Sequence, residues 1–369
     1  MASRPKRPTP SSIYPLRPSG SEVIVRYNVN DLTALDRLVV YSSSLFFVGG
    51  VFWVPALYAW AWKKFQSIPP NERKRRAVYL GLILSTTALV TFGPHRNSRV
   101  GNWIHVHKWS LWRSWLRFFA FEIVADQGFD SIKDLRDKQA IVTVSPHGIF
   151  PFGLAFAALS DVSEQAFGRF RAVVASATQM IPWVRDVLRW VDAVDASRPS
   201  VDQALAEGSR LGLAPGGIAE MFEGYPKSGT HPDEEYAIIR KGIFRLAVQH
   251  GVPIIPVYCF GSTKLLRRLL LPSLIEKISL LLRVSLVIFY GKGFLPIPFR
   301  QKLLYVMGKP IYPGDSKASA IEQGANSNGD MDQQVDEMFA KYCQEMIRIF
   351  DRHKESYGWA HKTLKLINR

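Results

Sequence analysis

The run from Val39 to Trp62, VVYSSSLFFVGGVFWVPALYAWAW, contains no charged residue. A bilayer core takes about 20 residues of apolar helix to cross, so this segment is expected in lipid. Trp60, Trp62, Lys63 and Lys64 close it with the aromatic and cationic residues of a membrane interface. Pro55 is expected to kink it. A second apolar stretch, Ala77 to Phe92 (AVYLGLILSTTALVTF), is at the short end for a span, and a buried soluble helix is its alternative reading. The connection KKFQSIPPNERKRR cannot rest in hydrocarbon. Cations flank both stretches, so charge leaves orientation open, and a hairpin and a pair of spans both fit.

The chain therefore divides into a flexible basic tail (1–38), a membrane anchor (39–92, with hydrophobic segments 39–62 and 77–92) and a larger domain (93–369). The first acid in the tail is Glu22. Organelle transit peptides share its Pro-, Ser- and Arg-rich composition, but the arginines lack amphipathic spacing. The net charge of +16 over 369 residues favours anionic partners such as membrane surfaces or phosphorylated substrates. Nucleic acid is set aside, because apolar runs accompany the charge and there is no zinc-finger spacing or basic helix. Two cysteines, Cys259 and Cys343, exclude a disulfide framework and a cysteine-built zinc site. His105 and His107 lack a third clustered ligand and are expected at the surface or an interface. No metal is expected.

From about residue 140, β-branched runs alternate with helical stretches. The runs are 140–145, 171–176, 253–260 and 284–290, and the helices are 180–192, 198–208 and 239–250. That order predicts an α/β domain, a sheet flanked by helices. Residues 103–121 (WIHVHKWSLWRSWLRFFAF) mix aromatics with cations, as in a helix lying in a membrane interface. Residues 265–290 are apolar but broken by Arg267, Arg268, Glu276, Lys277 and Arg283, which predicts a surface helix and then a buried strand. A polar linker (313–330) precedes a packing helix over about 331–354.

Three constellations carry chemical potential. Ser145-Pro146-His147-Gly148 follows a strand, which puts His147 on a tight turn at the edge where open α/β sheets bind ligands. Its imidazole can serve as a general base near neutral pH. A turn histidine bonded to a backbone carbonyl is the bland alternative. Pro215-Gly216-Gly217-Ile218-Ala219-Glu220 joins a turn that admits close ligand approach to an acid able to orient His147. The alternative is an ordinary turn with a solvated Glu. Arg240-Lys241-Gly242 puts cations at a helix start, where the dipole favours anions, so a bound phosphate is one explanation and a solvated basic cluster the other. There is no G-x-S-x-G elbow, P-loop or G-x-G-x-x-G.

Taken in order, these segments resemble the type-2 diacylglycerol acyltransferase family, which includes monoacylglycerol and wax-alcohol acyltransferases. The family's His-Pro-His-Gly turn is similar to Ser145-Pro146-His147-Gly148, and its Pro-Gly-Gly-x-x-Glu turn matches 215–220. Arg240-Lys241-Gly242-Ile243-Phe244, Val252 to Gly261, Gly308-Lys309-Pro310-Ile311 and Phe350-Asp351-Arg352-His353-Lys354 also look like the family. Two departures stand out: Ser145 replaces the first histidine, and Ser262 stands where the family often has Glu. A related His-x4-Asp motif would need Asp where this chain has Phe152.

The resemblance implies a glycerolipid-acyltransferase-like fold with an N-terminal membrane anchor. It implies an acyl-CoA co-substrate, no cofactor, and diacylglycerol as acceptor, with monoacylglycerol, fatty alcohol or phytol as alternatives. An inactive lipid-droplet scaffold is the alternative of another class. His147 is the expected base and Glu220 its partner. Gly148, Gly216 and Gly217 are expected at the oxyanion, and Arg240 and Lys241 at phosphates. Ser145, Pro146, Pro215 and Gly242 are expected to line the substrate. The endoplasmic reticulum membrane with lipid droplets is the expected location and a plastid membrane the alternative. A homo-oligomer is left open.

Overall fold

A computed structural model of the chain describes residues 17–92, 103–180, 184–282, 284–314 and 327–368. Residues 1–16 of the tail, Arg283 and most of the 313–330 linker lie outside the described residues. The centre is an eight-stranded sheet. Its order is β1 (Glu22–Arg26), β2 (Glu122–Ala125), β11 (Leu304–Met307), β8 (Ile254–Phe260), β3 (Ile141–Ser145), β6 (Leu211–Leu213), β4 (Arg171–Val174) and β5 (Val194–Asp195). Strands β8, β3, β6, β4 and β5 run parallel, whereas β11 is antiparallel to β8 and carries β2 parallel to itself.

Both faces of this sheet are covered, which is why its central strands read as unbroken apolar runs rather than alternating ones. On β8, Ile255, Val257 and Cys259 face one core with Trp115, Phe152 and Tyr305. Ile254, Tyr258 and Phe260 face the other with Phe244, Tyr342 and Phe350. Burying each such large side chain contributes roughly 1.5–3 kcal/mol. The second face is closed by the helix Ser327–Tyr357, which extends beyond its expected bounds at both ends.

Several elements differ from the sequence expectation. The apolar run 39–62 is not one kinked span. It is divided between α1 (Ala34–Phe47) and α2 (Gly50–Ser67), which meet at 53°. The break falls at Gly49 rather than at Pro55, which lies inside α2. A Cβ on Gly49 would sit 2.2 Å from the Leu45 carbonyl oxygen, so only glycine admits this approach. No single described helix is long and apolar enough to cross a membrane, but the bent pair is so by length and composition. α3 (Arg73–Phe92) packs against α2.

The 103–121 segment is not one interfacial helix. It forms a short helical turn (Ile104–Lys108) and the helix Ser110–Phe118. Trp112, Trp115, Leu116 and Phe118 are buried in the protein's own core, and Trp115 Nε1 donates to Ser43 of α1 at 2.9 Å. The same amphipathic pattern suits a lipid or a protein face, and here α1 supplies the face. His107, expected at a surface, is also buried. Within 265–290 the helix Ser273–Leu282 forms, but the strand part shrinks to β10 (Phe289–Tyr290), paired with β9 (Arg267–Arg268).

Candidate active site

β3 and β6 are parallel neighbours, so their carboxyl ends deliver two turns side by side. His147 follows β3 and Glu220 lies in the short helical turn Gly217–Phe222 after β6. Both side chains are buried. The His147 backbone N–H donates to Glu220 Oε2 at 3.2 Å, and its ring Nε2 lies 2.7 Å from the Gly217 carbonyl oxygen and 3.5 Å from Glu220 Oε2. A carbonyl oxygen only accepts, so Nε2 of the neutral ring carries the proton and Nδ1 holds the lone pair. Nδ1 is buried and has no hydrogen-bond partner. The imidazole is thus oriented from one side and left open on the other.

Glu220 is shaped by burial. Desolvation raises its carboxyl above the ordinary range, while the adjacent His147 and the amides of His147 and Ile238 pull the other way. Ile238 belongs to β7 (Glu234–Ile239), which pairs with the C-terminal strand β12 (Thr363–Asn368) rather than with the main sheet. Gly216 is required by contact: a Cβ there would fall 2.8 Å from Glu220 Oε2.

Gly148 has φ +71°, and a Cβ would meet the Ser262 carbonyl oxygen at 2.6 Å. The Ser262 hydroxyl lies 2.6 Å from the Pro146 carbonyl oxygen and 2.9 Å from that of Cys259. It therefore ties the end of β8 to the histidine turn by donating from its hydroxyl, which an ionised acid at this position could not do. Ser145 is buried beside the Tyr342 hydroxyl and opposite Tyr258, whose own hydroxyl is buried and unbonded. With His147 Nδ1, this puts two orphaned polar atoms on β8 and on the turn after its neighbour β3. Buried polar groups are normally satisfied, and such exceptions concentrate at functional sites.

The structure brings Ser145, Pro146, His147, Gly148, Pro215, Gly216, Gly217 and Glu220 into the two adjoining turns. It does not bring in Lys241, whose ammonium is 2.6 Å from Asp336 on the C-terminal helix and 5.4 Å from the Phe339 ring centroid. Gly242 opens the helix Gly242–His250 at the surface. Arg240 is exposed and follows shortly after Ile238, so the chain passes the site just before reaching it.

Two supports escaped sequence reasoning. Arg268 donates to the carbonyls of Met221, Glu223 and Gly224, holding the loop that follows Glu220. A cation inside the apolar LLRRLLL run was the available signal. Glu235 is buried and receives Thr263 Oγ1 at 2.7 Å, Lys264 Nζ at 2.8 Å and Lys362 Nζ at 2.6 Å. Among the described residues no group of three or more His, Cys, Asp or Glu could hold a metal ion.

The diacylglycerol acyltransferase family model matches residues 77–368. Acyl-CoA wax alcohol acyltransferase 1 of Mus musculus is 26% identical over 74% of this chain and 82% of its own length. For 2-acylglycerol O-acyltransferase 1 of Mus musculus the identity is 26%, over 73% of this chain and 80% of that protein. Diacylglycerol O-acyltransferase 2 of Homo sapiens is 22% identical over 72% of this chain and 68% of its length. Among solved structures, the 1-acyl-sn-glycerophosphate (LPA) acyltransferase PlsC of Thermotoga maritima aligns over 86% of this chain and 98% of that chain. Its identity is 15% and its TM-score 0.38. An α/β sheet that presents a buried histidine beside a glutamate at its carboxyl edge, in a chain matched over most of its length, fits one class, the lipid acyltransferases. The chain belongs to the diacylglycerol acyltransferase family.

Proposed function

We propose that this protein transfers the acyl group of an acyl-CoA to the free hydroxyl of diacylglycerol, giving triacylglycerol, with His147 as general base. The observation that carries this reading is the ring geometry, with Nε2 fixed by the Gly217 carbonyl and Nδ1 buried without a partner. Nδ1 takes the acceptor's hydroxyl proton as its oxygen attacks the thioester carbonyl. The C–S bond then breaks, and the proton passes from His147 to the departing CoA thiolate. Glu220, 3.5 Å from Nε2, stabilises the imidazolium formed between these steps.

The oxyanion falls to the Gly148 N–H, which makes no hydrogen bond among the described residues. The Gly217 N–H is engaged by the Ala214 carbonyl at 3.2 Å and is withdrawn from that role. Arg240 and Lys241 are kept as candidates for CoA phosphates, with Lys241 first having to leave Asp336. The bent α1–α2 pair and α3 form the membrane anchor in this reading, supported by the exposed Phe52, Leu57, Trp60, Trp62 and Leu84. The endoplasmic reticulum membrane and lipid droplets are the assigned location.

A second reading keeps the chemistry and changes the acceptor, because the wax-alcohol and 2-acylglycerol relatives are at least as similar as the diacylglycerol ones. An acceptor panel decides between them. Microsomes holding the full chain receive labelled acyl-CoA with diacylglycerol, monoacylglycerol or a long-chain alcohol. Labelled triacylglycerol as the main product supports the primary reading. A wax ester or diacylglycerol product moves the assignment to that acceptor, and no ester with any acceptor overturns both.

A further inference from the structure

A cavity of about 510 Å³ lies away from His147 and takes no part in the steps above. Arg169, Arg171 and Arg210 line it, with Asp192, Ile104 and Phe170. Arg210 immediately precedes β6 and Arg171 opens β4, so the cavity sits at the starting edge of these parallel strands. His147 and Glu220 stand at the finishing edge. The length of β3 and its turn separates the two sites by roughly 20 Å.

The charges in this cavity do not balance. Arg171 is paired with Asp192, its Nε lying 3.0 Å from Oδ2, and reaches Glu207 only at 3.8 Å. Arg169 is exposed and makes no ion pair among the described residues. Arg210 is 8% exposed, and its hydrogen-bond partners are the neutral carbonyls of Phe167, Leu135 and Lys138. Its Nη2 bonds to no described residue, and no carboxylate lies within ion-pair distance of the group. Burial lowers its pKa to about 10. A guanidinium held in place by neutral acceptors through Nε and Nη1, with Nη2 free to take a ligand oxygen, suits an anion presenting several oxygens in a plane-matched fork. The volume exceeds what a bare anion fills and falls in the range of organic ligands.

One wall continues into indoles. Trp103, immediately before Ile104, packs at 5.4 Å from Trp190 and 5.5 Å from Trp109. Trp103 and Ile104 are both largely exposed. Indoles beside exposed apolar groups and arginines are the composition of a lipid headgroup boundary.

We propose that this cavity binds the phosphate of an acidic membrane lipid, at a site separate from His147. Binding does not depend on the acyl-transfer assignment, so each can fail alone. The test uses the full chain in detergent, following thermal shift and tryptophan fluorescence, with Trp103, Trp109 and Trp190 as reporters. The probes are inorganic phosphate, dihexanoyl phosphatidic acid and dihexanoyl phosphatidylcholine. Phosphatidic acid is expected to bind best, and phosphatidylcholine to bind weakly because its choline cation opposes the arginines. Arg169→Ala, at an exposed position that leaves the fold alone, is expected to weaken phosphatidic acid about tenfold, whereas His147→Ala leaves binding unchanged. No response of the wild type to either phosphate probe, or equal binding by Arg169→Ala, overturns the site. A response to inorganic phosphate without one to phosphatidic acid overturns the lipid assignment and leaves a soluble phosphate as the source.

Discussion

Two buried histidines in this molecule each face a buried carboxylate. His147 and Glu220 lie in turns beyond β3 and β6, whereas Asp126 follows β2, which runs the opposite way, and meets His353 from the C-terminal helix. In the second pair His353 Nε2 is 2.7 Å from Asp126 Oδ1, and Arg348 and Arg352 reach Oδ2 at 2.6 and 3.3 Å. Burial alone would raise the Asp126 carboxyl, but hydrogen bonds from His353 and Arg348 more than offset it and hold it at about 2. In the first pair the separation is 3.5 Å, no arginine joins, and burial wins, so Glu220 is raised. The same two functional groups thus form a clamp in which one carboxylate holds an imidazole and two arginines, and a looser pair in which a buried ring nitrogen is left open. In the proposed mechanism that open nitrogen is what lets His147 act on a ligand.

The sharpest way to break this comparison is to truncate both histidines. His147→Ala is expected to lower kcat on the order of a thousandfold while its melting temperature stays near wild type. His353→Ala should do the reverse. Removing one partner from a buried pair costs about 3–5 kcal/mol, read by denaturant unfolding, with the specific activity of the folded fraction retained. Equal loss of activity without loss of stability in both variants would dissolve the distinction.

Glu220→Gln sharpens it further. A carboxyl whose pKa is raised in the folded state contributes stability that is present at low pH and is lost as pH rises through the folded value. The ionised group is therefore a burden at neutral pH, and the amide is expected to be at least as stable there. Its kcat should fall roughly 10–100-fold, as for other partners that orient an active imidazole. Asp126 has the opposite sign. Its folded value is depressed, so its contribution of roughly 2 kcal/mol is present above the unfolded value near 4 and is lost as pH falls toward 2. Asp126→Asn should flatten the stability profile across that acid window, measured by thermal unfolding from pH 2 to 5. Gly216→Ala is the mildest change. The new Cβ crowds Glu220 and is expected to cost about 1 kcal/mol by overpacking, with kcat reduced more than stability.

Much of the active centre was legible because its signals are local. His147 follows a β-branched run and sits in a turn with Pro and Gly, Glu220 follows a Pro-Gly-Gly turn, and the strand expectations at 140–145 and 253–260 agree with β3 and β8 to within a residue. What was not legible depends on partners distant in sequence. β7 reads as a strand only once β12, the last described segment, pairs with it. Glu235 acquires Lys362 through that same closure. The role of Ser262 exists only because β8 ends beside the His147 turn. The amphipathic helix Ser110–Phe118 could not be assigned to lipid or core from its own residues, since α1 decides the matter. The bend at Gly49 was masked by an apolar run in which Pro55 was the more conspicuous breaker.

The most direct test of the central claim is single-turnover acyl transfer by the full chain in microsomes, with labelled oleoyl-CoA and diacylglycerol, comparing wild type with His147→Ala and His353→Ala at matched folded protein. The account predicts labelled triacylglycerol from wild type and from folded His353→Ala, and almost none from His147→Ala. Undiminished product from His147→Ala would contradict it and remove the histidine from the chemistry.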